Sequence, residues 1–343
     1  MADEYAPHVV ADLEQMVSRE KGRWGLSSAT TLRLLNLSEN ATFALSDPAS
    51  GRELVLRLHR VGYSSPREIE SELAWIDALR RDAVIETAAP VAALDGARVL
   101  RLESPSGAPP RHAVAFEWLA GSEPDASGDA TPWFERLGEL SAKMHRHARS
   151  WVRPAHFCRK RWDLAAMVGP AAYWGSWREG IGLDAAGARE LEHALGYIAQ
   201  RLERFGMGAE RFGLVHADLR LANLLVDGAQ LRIIDFDDCG FSWFLYDFAT
   251  AVSFIEHQPM VPQLLRAWVR GYRRMGALSE EERSEMPTFV VLRRILLTAW
   301  LASHREVPFA RQFGATHTRD TVRLAQQLLQ GQFLATRSSA RGE

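Results

Sequence analysis

Three polar side chains at fixed intervals hold the chemistry of this sequence. Asp218 follows His216-Ala217, Asn223 stands five places later, and Asp235 opens Asp235-Phe236-Asp237. A short apolar run precedes or follows each: Phe212 to Val215, Leu224 to Val226, and Leu231 to Ile234. Asp227-Gly228 between the last two runs is a hairpin signal. The pattern predicts a loop carrying Asp218, closed by Asn223, then a hairpin that returns Asp235 beside it. Two carboxylates and a carboxamide so arranged suit phosphoryl transfer. The transferred group is already electrophilic, so a protein mainly positions it and neutralises charge. One carboxylate receives or orients the proton of an attacking hydroxyl. A second holds Mg2+ on the nucleotide phosphates, and an amide oxygen completes the metal shell. Asp218, Asp235 and Asn223 fit these roles in that order. The competing reading is local, since Asp and Asn in turns commonly cap nearby backbone.

The string from His216 through Asp218 to Asn223, followed by Asp235-Phe236-Asp237, resembles the H-R-D-x-x-x-x-N and D-F-G segments of protein kinases. An aspartate replaces the final glycine. With Tyr246-Asp247-Phe248-Ala249 downstream, the combination is similar to the aminoglycoside phosphotransferase and choline kinase superfamily. Homoserine kinases of type II and bacterial stress-response kinases are further branches that it resembles. The likeness spans roughly 30 to 305 and is strongest over 212 to 250. It implies an α+β, bilobal, protein-kinase-like fold. The small lobe would hold a five-stranded antiparallel sheet with one crossing helix, and the larger lobe would be mainly helical. The implied parts are 1–118 for the nucleotide, 119–334 for catalysis and acceptor, and a tail over 335–343. The likeness also implies ATP, with GTP as the alternative, and Mg2+. His216 joins Asp218 in the catalytic loop, Asp247 supports that loop, and Asp237 either extends the metal shell with Asn223 and Asp235 or faces the acceptor.

The elements that must position these groups follow from periodicity. Pro7 to Glu20 reads as an amphipathic helix, and Thr31 to Leu37 and Thr42 to Leu45 as strands. On the family pattern, Ser38-Glu39-Asn40 between them covers the phosphates, with Ser38 and Asn40 as donors; an ordinary polar turn is the alternative. Arg52 to Arg60 alternates, with Leu54, Leu56 and Leu58 on one face and Val55, Arg57 and His59 on the other. The resemblance places Val55 on adenine and a cation at Arg57 on the α- and β-phosphates. Lysine is usual there, but this chain has only Lys21, Lys143 and Lys160. Pro66 to Arg81 reads as a helix, and the family resemblance implies that its Glu72 orients Arg57, with Glu70 as the alternative. Arg98 to Glu103 and Arg111 to Trp118 are two more strands. Phe116 to Gly121 then resembles the hinge, where backbone around Glu117 and Leu119 would meet the adenine edge.

From Thr131 onward the pattern is mainly helical. Pro132 to Arg149 carries His145, which in the family packs under the catalytic loop. Trp162, Tyr173, Trp174 and Trp177 are read either as core or as a wall of the acceptor pocket. Asp184 to Phe205 is a long helix, and further helices are expected at about 245–257, 261–275, 279–304 and 318–333. Glu256-His257 is placed to reach the acceptor. Arg266, Arg270, Arg273, Arg274, Arg293 and Arg294 are read mostly as solvated faces, and their excess disfavours a polycationic acceptor.

Bulk properties bound the rest. The chain has 343 residues, a formal charge of −2 and two cysteines, Cys158 and Cys239. Near-neutral charge gives no field for nucleic acid, and two cysteines make neither a metal motif nor a disulfide framework. No apolar run is read as long enough to cross a membrane, and Asp3, Glu4, Asp12 and Glu14 interrupt any leader pattern. A cytoplasmic enzyme is expected. The acceptor is read as a small hydroxyl compound: an amino alcohol, a homoserine-like amino acid, a sugar or an aminoglycoside-like molecule. A Ser/Thr protein kinase is the alternative, and a catalytically inactive nucleotide-binding module is the second.

Overall fold

The computed structural model describes residues 6–38, 40–125 and 128–334. Glu39 and the tail at 335–343 lie outside these, so their expected roles have no structural counterpart here. The chain divides into two compact units. The first comprises Met1–Gly121, Val152–Arg159 and Arg232–Asp237, and the second the remainder.

In the first unit, α1 (Pro7–Glu20) precedes β1 (Thr31–Leu37), β2 (Ala41–Ser46), β3 (Glu53–Leu58), α2 (Pro66–Arg81), β4 (Pro90–Val91), β5 (Leu100–Leu102) and β6 (Arg111–Glu117). The sheet is antiparallel and ordered β1-β2-β3-β6-β4, with β5 also paired to β6. It has six strands where the sequence predicts five. The extra one is β4, a two-residue strand headed by proline, which carries no propensity signal. One face of β3 (Leu54, Leu56, Leu58) packs with Leu13, Met16 and Val17 of α1 in a continuous core. Alternation then sends Arg57 to the opposite face. Helix α2 starts on a capping box in which Ser65 and Glu68 satisfy each other's backbone N–H groups. Its buried stripe includes Ile69, Leu73, Ile76 and Leu79, and Glu72 lies in the same buried surface.

The second unit contains α3 (Thr131–Ser150), α4 (Leu164–Val168), α5 (Ala185–Phe205), β7 (Phe212–Val215), β8 (Leu224–Asp227), β10 (Gly240–Trp243), α6 (Tyr246–Ala251), α7 (Val261–Met275), α8 (Glu280–Ser303) and α9 (Pro308–Leu329), while β9 (Gln230–Ile233) has its first two residues in the second unit and its last two in the first. The hairpin β8–β9 turns at Asp227-Gly228 as its sequence predicts, and Gly228 takes the left-handed φ of 58°. β10, unexpected from sequence, pairs antiparallel with β7. Helix α6 ends earlier than predicted, at Ala251, and α9 begins earlier, at Pro308. Helix α8 is long and apolar enough to cross a membrane by length and composition, with mean hydropathy 1.3. That corrects the expectation that no stretch reaches such length. However, 83% of its most apolar 18-residue window is buried inside the protein, and the helix also buries Arg293 and Arg294, as in a core helix.

Helices α3 and α7 approach until their backbones touch. A Cβ at Gly271 would lie 1.8 Å from the Glu135 carbonyl oxygen, and one at Gly138 would lie 2.1 Å from that of Trp268. Helical glycine costs about 1 kcal/mol relative to alanine, and here it permits the close crossing. Gly271→Ala is therefore expected to destabilise by about 1–3 kcal/mol despite its better helix propensity, read as a lower urea midpoint; an unchanged midpoint would show that the helices can part freely. A second expectation concerns His317 on α9, buried with its Nε2 3.2 Å from the Arg294 carbonyl. Burial, then the Arg294 charge, push its pKa down to about 3. The unfolded state takes the proton first, so stability is whole above about pH 6.5 and falls as pH drops toward the folded value. Between pH 7 and 5, wild type should lose about 2 kcal/mol more than His317→Gln; parallel losses would contradict this.

Candidate active site

In the first unit the site is built around Arg57. Its guanidinium is buried at 4% exposure, beside the Phe116 ring. Nη2 donates to Glu72 Oε1 at 2.6 Å, and Nη1 donates to Asp235 Oδ1 at 2.9 Å. Glu72, not Glu70, is the partner. Burial drives the Glu72 carboxyl pKa upward against the pull of Arg57. Burial likewise opposes charge on Arg57, but Glu72, Asp237 and Asp235 more than offset it, so the guanidinium stays charged. Asp235 holds a left-handed φ of 62°, a strained conformation for a residue with a Cβ, and its side chain is 41% exposed.

Two residues expected at the ligand are turned into the protein instead. Asn40 Nδ2 donates to Asp237 Oδ2 at 2.8 Å, and Asn40 Oδ1 accepts from the Arg60 N–H at 3.1 Å. The Asn40 amide therefore ties the β1–β2 turn to the Asp237 loop and does not present itself to phosphate. Asp237 is buried, with His59 Nδ1 3.4 Å from its Oδ1 and Arg159 donating to its carbonyl. Burial, then Arg57, hold the His59 pKa down to about 4, so it is neutral near pH 7. His59, Glu72 and Asp237 bring donor atoms within 4.8 Å of one another. The buried Arg57 charge already balances that cluster, which makes it a poor cation site. Ser38 is half-buried and pairs its N–H with the Asn40 carbonyl. Val55 is half-buried on the Arg57 side of β3. Glu117 and Trp118 spend their N–H groups on the Ala89 and Glu53 carbonyls, and Leu119 follows, half-buried.

In the second unit β7 delivers His216-Ala217-Asp218, and Asp247 fastens that loop from α6. The Asp247 carboxylate accepts from the Ala217 N–H at 2.8 Å and the His216 N–H at 3.3 Å. It also meets His145 Nε2 at 2.8 Å, and the other ring nitrogen reaches Tyr272 Oη at 3.1 Å. Thr250 Oγ1 takes the Leu219 N–H. This bracket fixes Ala217 at a φ of 67°. His216 is fully buried, and its Nδ1 accepts the Asp218 N–H at 3.2 Å, so it shapes the turn and does not face a ligand.

Asp218 Oδ2 accepts from Asn223 Nδ2 at 2.7 Å and from Arg220 Nε at 3.1 Å. Its Oδ1 accepts from Arg293 Nη2 at 2.9 Å. Burial raises the Asp218 pKa, but Arg220, Arg293 and His216 outweigh that, and the carboxyl lies below its ordinary range. Asn223 points its amide nitrogen at Asp218, which leaves the amide oxygen as the atom suited to a hard cation.

Arg293, one of six arginines that the sequence reads mostly as solvated faces, is instead a buried partner of Asp218. It is 3% exposed. The signal was present: two adjacent arginines inside the apolar run of α8 require buried partners. Arg294 pairs with the buried Glu256, so Glu256 is not offered to an acceptor. Trp162, Trp174 and Trp177 are core residues, though Trp174 lies against the Arg293 guanidinium.

The chain matches the family described as the phosphotransferase enzyme family over residues 31–278. A solved microcompartment-associated aminopropanol kinase is 40% identical, with a TM-score of 0.86, covering 94% of this chain and 99% of that one. Amicoumacin kinase of Bacillus subtilis is 25% identical over 297 residues, 83% of each chain. A solved amicoumacin kinase in complex with AMP-PNP, Ca2+ and amicoumacin shares the fold at 21% identity and a TM-score of 0.75, covering 95% of this chain and 96% of that one. The small antiparallel sheet unit, the larger helical unit and the matched span agree with the resemblance noted in the sequence: the chain belongs to the phosphotransferase enzyme family and is an ATP-dependent kinase of small molecules.

Proposed function

We propose that this enzyme transfers the γ-phosphoryl group of ATP to the hydroxyl of a short amino alcohol, with Mg2+ as its cation. The 40% identity to an aminopropanol kinase over 94% of the chain carries the choice of acceptor. In this reading residues 1–118 serve the nucleotide and 119–334 serve catalysis and the acceptor. Arg57, oriented by Glu72, grips the α- and β-phosphates in place of lysine. Its two Nη atoms are tied to Glu72 and Asp235, so the guanidinium is held in one orientation. Val55 packs on adenine, and the Glu117 carbonyl and Leu119 N–H meet its edge. Ser38 lies over the phosphates.

Asn223 and Asp235 hold the cation, which neutralises phosphate charge when bound. Asp218 accepts the hydrogen bond of the acceptor hydroxyl and takes its proton as the new O–P bond forms. Its low pKa keeps it ionised at neutral pH, and a loose transition state asks for orientation more than for a strong base. The inactive-module reading rested on the missing lysine, and the Arg57 fork supplies a charge at that position.

A panel of amino alcohols, homoserine, sugars and a generic protein substrate, read by ADP release and product mass, tests this. Amino alcohols should turn over at about 1–100 per second. Asp218→Asn should cut kcat by about 10²–10⁴-fold while KM for ATP changes little. Phosphorylation of the protein substrate alone, or full kcat in Asp218→Asn, would contradict the proposal.

A further inference from the structure

The Asp218 carboxylate has three partners among the described residues, and they leave it little freedom. A carboxylate offers about four acceptor directions, two on each oxygen. Asn223 and Arg220 occupy Oδ2, and Arg293 occupies one direction on Oδ1. The remaining direction is on Oδ1, next to the Arg293 fork. Arg293 itself is immobilised. Nη1 donates to Tyr246 Oη at 3.1 Å, Nε donates to Ser253 Oγ at 3.3 Å, and the guanidinium lies 5.3 Å from the Trp174 ring centroid and 5.8 Å from that of Tyr246. Each of its three nitrogens has a separate partner, a pattern only a planar fork can satisfy. Arg220, by contrast, is 35% exposed.

We propose that Arg293 is the positioning residue of Asp218: a buried, fixed fork that sets the carboxylate plane and leaves Oδ1 as the oxygen that receives the acceptor hydroxyl. The inference rests on Asp218 as the hydroxyl-accepting group, but not on which acceptor is used. Arg293 exchanges no proton and meets no phosphate. Its contribution passes through Asp218 alone. A near-attack geometry tolerates little misplacement, so the loss on substitution falls on kcat and not on nucleotide binding.

A double-mutant cycle separates this from plain structural support. Arg293→Lys and Arg293→Met are each made in wild type and in Asp218→Asn. Turnover is read with an acceptor and, independently, as acceptor-free ATP hydrolysis, where water takes the place of the hydroxyl. In wild type, Arg293→Lys should lower kcat by about 10-fold and Arg293→Met by about 100-fold, with KM for ATP within about twofold. In Asp218→Asn, Arg293→Lys should change the residual rate by less than about twofold. Equal losses from Arg293→Lys in both backgrounds would overturn the proposal, as would full kcat in either single variant. Should Arg293→Met not fold, the lysine cycle decides alone. Should no amino alcohol turn over, the acceptor proposal fails while the hydrolysis cycle still reads Arg293.

Discussion

Each unit keeps a buried arginine against a carboxylate, and the geometry of each unit's candidate residues depends on its own pair. Arg57 ties Asp235 to Glu72 in the first unit, and Arg293 ties Asp218 to Tyr246 and Ser253 in the second. Burying such charges costs several kcal/mol per ion before the attraction is counted. A hydrophobic pair would fill the same volume at lower cost, so stability alone does not account for them. What they supply is direction: a guanidinium tied through separate nitrogens, two in Arg57 and all three in Arg293, fixes the rotamer of the carboxylate it holds. Left-handed backbone at Ala217 and Asp235 adjoins both pairs. That strain of order 1–3 kcal/mol persists only where the surroundings over-determine it.

Around the pairs lies a second set of contacts that hold loops and not ligands. Asp247 gathers two loop N–H groups and His145. Asn40 and Arg159 hold Asp237 in the same manner. The aspartate that replaces glycine at the end of Asp235-Phe236-Asp237 is thereby explained as an anchor. Its carboxylate gives the β1–β2 turn a fixed partner, and the neutral state of His59 avoids adding another charge beside Arg57.

The fold was legible where periodicity was strong. The alternation of β3 predicts which side chains face the α1 core and places Arg57 opposite them. The stripe on α2 predicts the helix, and the family resemblance laid on it narrows the partner of Arg57 to Glu72 and Glu70. The hairpin between Asn223 and Asp235 is visible in Asp227-Gly228. Other features were not legible for stated reasons. β4 is two residues long, and β10 opens on Gly240, whose value lies in close approach to the Lys160 carbonyl. Asn40, His216 and Asp237 have the polarity of ligand groups, and sequence cannot tell a side chain turned toward a ligand from one turned inward. The burial of Arg293 is hidden by the number of arginines in the final helices, and only the apolar run that it and Arg294 interrupt points to it.

The central claim is that Arg57, held by Glu72, is the phosphate-gripping cation of a chain without the usual lysine. Calorimetric binding of adenosine and of a non-hydrolysable ATP analogue to wild type and Arg57→Gln tests it most directly. The account predicts that the analogue loses about 10- to 100-fold in affinity, the size of one charge-assisted contact, while adenosine binds unchanged. Unaltered affinity for the analogue, with both proteins folded, would contradict it.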